Sequence, residues 1–203
     1  MPRPRSLTKS DLGAAALAVI DRDGLSALTM RAVAKELHMA TMALYRYVAD
    51  REELEVLVVD EVLAGLDVST PAESHWRDRL ATLLERMRAA VSAHPATVPL
   101  VPRHRKSASG TLRWMEAMLS VLDDGGFTGP GRVIAQRTLV AFLLGSLENQ
   151  HYASINAPAT AAIARLSSGE YPYLTQTAAQ ARTMSVDDEF RGGLAIVLRG
   201  LES

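Results

Sequence analysis

The chain has 203 residues, of which 48% are hydrophobic and 22% charged, and its formal net charge is −1, as in an ordinary globular protein. Cysteine is absent, which excludes disulfides, iron–sulfur clusters, cysteine-bound zinc and thiol catalysis. The sequence shows neither an apolar run of the roughly 20 residues that span a membrane nor a recognisable signal sequence, so we expect a cytoplasmic protein without a membrane partner.

The start of the chain predicts two short helices in succession. Thr8 and Asp11 have the spacing of a capping box, and Gly24 provides a stop for the helix that follows them. Thr29 is the expected N-cap of a second helix, which ends near Leu37. Both segments carry apolar residues at the three- and four-residue spacing of an amphipathic helix.

Two further helices are predicted before residue 67. After a break at His38, a short helix covers about residues 40–47, with Leu44 and Val48 facing inward. Asp50 is the expected N-cap of a fourth helix that reaches about residue 66.

The remainder of the chain also favours helices. Apolar stripes predict one helix over residues 76–94 and another over residues 112–124. A third, over residues 132–154, is apolar on more than one side, and a last one covers residues 187–201. Residues 155–185 contain several prolines and glycines and are expected to be irregular. The predicted fold class is therefore all-α.

The second and third helices form the most informative part of the sequence. Two short helices that meet at a tight break, after a helix of similar size, are typical of a helix-turn-helix module. In such a module the start of the third helix reaches base edges, while flanking groups bind phosphates. The candidate DNA-binding residues are Thr29, Arg31, Thr41, Met42, Ala43, Tyr45, Arg46, Tyr47 and Arg51. Direct readout is expected to depend on thymine-methyl contacts, Thr41 and Arg46.

Charge is unevenly distributed in a way that agrees with this interpretation. Residues 1–48 contain seven basic and four acidic side chains, whereas residues 49–203 contain 15 basic and 19 acidic ones. Such an asymmetry indicates a negatively charged partner for the N-terminal part. Arg3 and Arg5 could bind the DNA backbone or a minor groove, and an arm without any contact is an equal alternative.

Several segments resemble the tetracycline-repressor (TetR) family. Three segments near the start of the chain resemble the DNA-binding domain of that family. They are residues 28–37 (Leu-Thr-Met-Arg-Ala-Val-Ala-Lys-Glu-Leu), 43–48 (Ala-Leu-Tyr-Arg-Tyr-Val) and 50–54 (Asp-Arg-Glu-Glu-Leu). Residues 171–174 (Tyr-Pro-Tyr-Leu) and 190–194 (Phe-Arg-Gly-Gly-Leu) resemble the C-terminal domain of its tetracycline-repressor-like subgroup. The family usually has glycine where this chain has His38, a residue that can adopt a positive φ at modest cost.

The resemblance implies an organisation and a function. Residues 1–66 would form a three-helix helix-turn-helix DNA-binding domain with the fourth helix as connector, and residues 67–203 a helical ligand-binding and dimerisation domain. The expected function is that of a homodimeric regulator, a repressor that an unidentified small-molecule effector releases from a pseudo-palindromic operator in double-stranded DNA.

Candidate residues for the C-terminal functions are less specific. The ligand pocket is predicted at Met87, Trp114, Met115, Met118, Phe142 and Tyr152, although the same residues would suit a plain helical core. Two helices with an excess of apolar residues suggest a four-helix dimer interface. The residues predicted for it are Leu139, Leu143, Leu194, Val197 and Leu201.

Other function classes are less favoured. His94, His104 and His151 lack the spacing of helical metal ligands, so no metal or other cofactor is expected. An enzyme is disfavoured because a glycine-rich phosphate loop, a Gly-x-Ser-x-Gly motif and a metal-spaced His/Glu set are not found. The remaining alternative is a helix-turn-helix protein that binds DNA without control by a ligand.

Overall fold

The fold is known from a computed structural model that describes residues 7–201, except for the side chains of residues 153–157. Within that part the chain is all-helical, as predicted, with eleven α-helices and no strand. The chain divides into two compact units, one up to Phe127 and one from Thr128. The boundary predicted near residue 66 lies inside the first unit and stays a prediction. Arg3 and Arg5 lie outside the described residues.

The helices are distributed over both units. The first unit contains α1 (Lys9–Asp23), α2 (Met30–Glu36), α3 (Thr41–Leu44), α4 (Arg51–Val62), α5 (Trp76–Ser92), α6 (Leu100–His104) and α7 (Ser109–Asp124). The second contains α8 (Gly129–His151), α9 (Ala153–Ile163), α10 (Pro172–Ala181) and α11 (Val186–Gly200). Among the residues described, no helix combines the length and the apolar character that crossing a membrane would require.

The predicted N-caps of the first helices are confirmed. The Thr8 hydroxyl accepts from the backbone of Asp11 at 3.1 Å, and the Asp11 carboxylate accepts from the backbone N–H of Thr8 at 2.8 Å, which completes the capping box. At the starts of α2 and α4, the side chains of Thr29 and Asp50 each accept from a backbone N–H three residues further on. Each cap satisfies a backbone N–H that has no partner within its helix.

The turn between α2 and α3 is built around His38. Its φ of 53° places it in the left-handed region, as the sequence allowed. The N–H of Met39 donates to the carbonyl of Ala34 at 2.9 Å, and the N–H of His38 donates to that of Lys35 at 3.1 Å. These two bonds form a Schellman motif with a histidine in place of the usual glycine. As a result α2 ends sharply, and only four residues separate it from α3.

The third helix is shorter than predicted. The sequence predicts a helix over about residues 40–47, but α3 covers only Thr41–Leu44. Beyond it, Arg46 donates its N–H to Ala43 and Tyr47 to Leu44, which are the i to i+3 bonds of tighter turns. Leu44 and Val48 are buried, as predicted, and they anchor this segment.

The pair α1 and α4 forms the base on which this module rests. Leu12, Ala16 and Ile20 of α1 are fully buried, as are Leu54 and Val58 of α4. The two helices approach closely at Gly13, where a Cβ atom would lie 2.8 Å from the carbonyl oxygen of Leu57. Two polar contacts flank this apolar core, Lys9 with Glu53 at 3.3 Å and Ser10 with Glu61 at 3.0 Å.

The second unit corrects one prediction. Residues 155–185 were expected to be irregular, but they contain most of α9 and all of α10. Pro172 is the first residue of α10, a position where the missing N–H costs nothing. Pro158 lies inside α9, which tolerates the loss of one backbone bond. In this part of the chain, therefore, one proline begins a helix and another lies inside a helix, and neither ends one.

Replacement of Gly13 by alanine should separate α1 from α4. The added Cβ would meet a backbone oxygen, which cannot move aside cheaply, so we expect Gly13→Ala to lower the free energy of unfolding by about 1–3 kcal/mol. Chemical denaturation at a fixed protein concentration measures this. In the matched control Gly131→Ala, nothing lies within 4 Å of the new Cβ in α8, so an equal loss of stability there would contradict the argument.

His38→Gly should stabilise the protein. Glycine removes the steric cost of the left-handed conformation, roughly 1–2 kcal/mol, and loses part of that gain to the greater freedom of the unfolded chain. We expect a net gain of about 0.5–1 kcal/mol in the free energy of unfolding. His38→Ala keeps the strained φ and should give no gain; equal stability of the two variants would show that the backbone conformation is not the cause.

Candidate nucleic-acid interface

The segment that starts at α3 presents a set of exposed side chains. Met42 is 77% exposed and Tyr45 47%, although both have large apolar parts. Arg46 is also exposed, whereas Thr41, Ala43 and Tyr47 are half-buried. Exposed apolar groups on and just beyond a short helix, beside a cation, are suited to contacts with thymine methyl groups and phosphates.

The start of α2 provides two further candidates. The Thr29 oxygen accepts from the backbone N–H of Ala32 at 3.1 Å, and the hydroxyl hydrogen can still donate to a phosphate oxygen. Arg31 is exposed in the first turn of α2. Both groups lie at the start of α2, the helix that packs against α3.

Arg51 is engaged within the protein. Its Nε donates to Oε1 of Glu55 at 2.9 Å, and its Nη2 donates to the carbonyl of Leu25 at 3.4 Å. The side chain is nevertheless 46% exposed, and the Nη1 hydrogens take part in neither of these contacts. The guanidinium is thus held in place while part of it faces solvent.

Glu55 is a functional candidate that the sequence analysis missed. Its side chain is buried on α4, yet its Oε2 atom accepts from Arg103 Nη1 and contacts His104 Nε2, both at 2.9 Å. Burial raises the pKa of Glu55, but the hydrogen bonds from His104, Arg103 and Arg51 outweigh it, and the pKa lies below its ordinary value. The available sequence signal is a carboxylate within the otherwise apolar residues 54–59, four residues after an arginine.

Other polar contacts also attach the later helices of the first unit to the earlier ones. His94 Nδ1 lies 2.8 Å from an Asp21 oxygen at the end of α1. On α4, the Asp60 carboxylate accepts from the hydroxyl of Ser109 and the N–H of Gly110, both at 2.9 Å. Of the three histidines considered as metal ligands, His94 and His104 therefore pair with carboxylates, and His151 packs edge-on against Tyr152.

The predicted pocket residues are divided between the units. Met87, Trp114 and Met118 are buried in the first unit, where the Trp114 indole donates to the carbonyl of Leu83 at 2.9 Å, and Met115 is half-buried. Phe142 is half-buried and Tyr152 exposed in the second unit. A common pocket of these residues stays a prediction.

The predicted dimer residues need a correction. Leu139, Leu143, Leu194 and Leu201 are buried within a single chain, so they stabilise their own subunit and are not free to contact a second one. Val197 is half-buried. The large apolar side chains that are exposed on the same two helices, α8 and α11, are Val133, Ile134, Val186 and Ile196. A dimer interface on these two helices stays a prediction.

Comparison with known proteins gives matches along almost the whole chain. A family model described as the tetracyclin repressor-like C-terminal domain matches residues 70–203, and one described as bacterial regulatory proteins of the tetR family matches residues 12–55. The HTH-type transcriptional repressor DrrR1 of Streptomyces coeruleorubidus is 29% identical over 220 aligned residues, which cover 99% of this chain and 79% of that protein.

Solved structures agree with these matches. The apo structure of ActR from Streptomyces coelicolor has a TM-score of 0.85 and 25% identity, covering 98% of this chain and 96% of ActR. ActR in complex with (S)-DNPA has a TM-score of 0.85 and 26% identity, covering 98% of each chain. ActR in complex with actinorhodin has a TM-score of 0.84 and 25% identity, covering 98% of this chain and 96% of ActR. The chain therefore belongs to the tetR family of bacterial regulatory proteins, with a tetracyclin repressor-like C-terminal domain.

Proposed function

We propose that the chain is a ligand-responsive transcriptional repressor that binds a pseudo-palindromic operator through α3 and leaves it when a small molecule binds. The observation that carries this proposal is the exposure of Met42, Tyr45 and Arg46 in the segment that follows the sharp turn at His38. Family membership and the repressor DrrR1 support the same function. We place the boundary between the DNA-binding and C-terminal domains near residue 66.

The DNA contacts that we propose combine base readout with phosphate binding. Thr41, Met42 and Ala43 face the bases together with Arg46, while Tyr45 and Tyr47 bind the backbone. Thr29, Arg31 and Arg51 provide the flanking phosphate contacts, which set the register of the module on the duplex. The exposure of Met42, Tyr45 and Arg46 supports this division of roles.

A homodimer follows from the geometry of such operators. One short helix reads only a few base pairs, so a useful site needs a second copy about one helical turn of DNA away. We propose that α8 and α11 of two chains pair, because exposed Ile134 and Ile196 on these helices would otherwise remain in water.

Control by a ligand is the third part of the proposal. ActR has been solved in complex with (S)-DNPA and with actinorhodin, and we propose that this chain also binds a small molecule in its C-terminal domain. The ligand must prefer a state in which the two recognition helices no longer match the spacing of the half-sites, since equal affinity for both states would shift nothing.

Changes at Tyr45 and Arg46 test the DNA interface. A duplex selected by the wild-type protein from a random pool serves as the probe in gel-shift titrations. We expect Arg46→Ala to weaken binding about 5- to 100-fold and Tyr45→Phe to weaken it less, with unchanged thermal unfolding. The exposed Arg182, at the end of α10, provides a matched control. Equal affinities of Arg46→Ala, Arg182→Ala and wild type would contradict the assignment.

Actinorhodin is the first compound to test as an effector. We expect it to quench the fluorescence of buried Trp114 and to release the selected duplex over the same concentration range. Both effects report one binding event, since the compound acts on DNA only through its preference for one protein state. Quenching without any loss of DNA retention would argue against ligand control by this compound.

A further inference from the structure

The carboxylate of Glu55 connects two parts of the first unit. Its Oε1 atom accepts from Arg51, at the start of α4, and its Oε2 atom accepts from Arg103 and contacts His104, both on α6. The side chain is buried, so its charge depends on these partners for compensation. A movement of α6 would remove the compensation at Oε2 and leave only Arg51.

Arg51 is held by this carboxylate in a defined place. Glu55 fixes its Nε edge, and the carbonyl of Leu25 contacts its Nη2 group at 3.4 Å. A guanidinium fixed in this way loses little side-chain entropy when its remaining hydrogens bind an anion. Its half-exposed position is the first residue of α4, four residues after Tyr47 in the sequence, and there we propose a phosphate contact.

We propose that Glu55 is a positioning residue through which α6 sets the phosphate contact of Arg51. While Arg103 and His104 hold Oε2, the carboxylate takes only the Nε edge of Arg51 and presents the rest of the guanidinium to DNA. When Arg103 and His104 move away, the buried carboxylate has lost their hydrogen bonds at Oε2. It then accepts additional hydrogen bonds from Arg51, which moves the guanidinium away from the phosphate. This inference rests on the proposed DNA-binding function and adds a route by which that function is regulated.

A double-mutant cycle on the full-length chain tests the inference. Dissociation constants for the selected duplex are measured over a range of salt concentrations for Arg51→Ala, Arg103→Ala and the double variant. We expect Arg51→Ala to weaken binding roughly 3- to 10-fold and to reduce the slope of log affinity against log salt by about 1, the loss of one phosphate contact. Arg103→Ala should weaken binding and reduce the salt slope by similar amounts, although Arg103 is assigned no contact with DNA.

The decisive result is the double variant. If Arg103 acts through Arg51, Arg103→Ala should weaken binding less than about 2-fold once Arg51 is alanine. Arg103→Lys retains both the charge and a donor for Glu55, so it should keep the wild-type salt slope. The effect of losing a charge as such is measured separately, with Lys106→Ala. Arg51 and His104 still contact the buried carboxylate in Arg103→Ala, so the thermal unfolding midpoint should fall only modestly, and it is measured for each variant.

Controls separate this route from others. Lys106→Ala removes the same charge from an exposed position three residues further on and should change affinity less than about 2-fold. An Arg103→Ala effect that is equally large with and without Arg51, or absent in the wild-type background, would overturn the inference while leaving the proposed function intact. Failure of the wild-type protein to select and retain any duplex would overturn both.

Discussion

The fourth helix is the element on which the first unit depends, because its neighbours approach it at distances that leave no space for a side chain. Gly13 of α1 lies against the carbonyl of Leu57, and a Cβ at Gly110 of α7 would be 2.7 Å from that of Leu63. Interiors packed this tightly do not deform continuously, so a displacement of α4 must take α1 with it. The helix-turn-helix module therefore moves as a body, and a polar side chain buried beside α4, such as Glu55, experiences any such movement directly.

Those features of the fold that depend on local chemistry could be predicted from the sequence. The caps at Thr8, Thr29 and Asp50 and the left-handed residue at His38 follow from hydrogen-bonding groups a few positions apart, and they were found where expected. The length of α3 could not be predicted in this way, because the choice between an α-turn and a tighter turn after Leu44 depends on packing with α2.

Features that depend on distant partners were predicted less well. Leucine is common both in a core and in a dimer interface, so the sequence cannot assign Leu139 and Leu194 to one of them. Only the three-dimensional arrangement shows that both are buried within one chain, in helices α8 and α11 that contact each other. Likewise, the sequence does not show that Glu55 is buried and paired. Its partners Arg103 and His104 are about 50 residues away in the sequence and reach it only through the packing of α6 against α4. Among the candidate DNA-binding residues, Arg51 also donates to Glu55 and to the carbonyl of Leu25, which the sequence did not indicate.

The way the segment from α3 is attached has an evolutionary consequence. Its hold on the rest of the unit depends on inward side chains such as Leu44 and Val48, while Met42 and Arg46 contribute little to the core. Exchanges at exposed positions of this kind are usually almost neutral for stability. A duplicated copy of such a gene could therefore acquire a new target sequence by changes at the outward positions alone, without first accumulating stabilising mutations elsewhere.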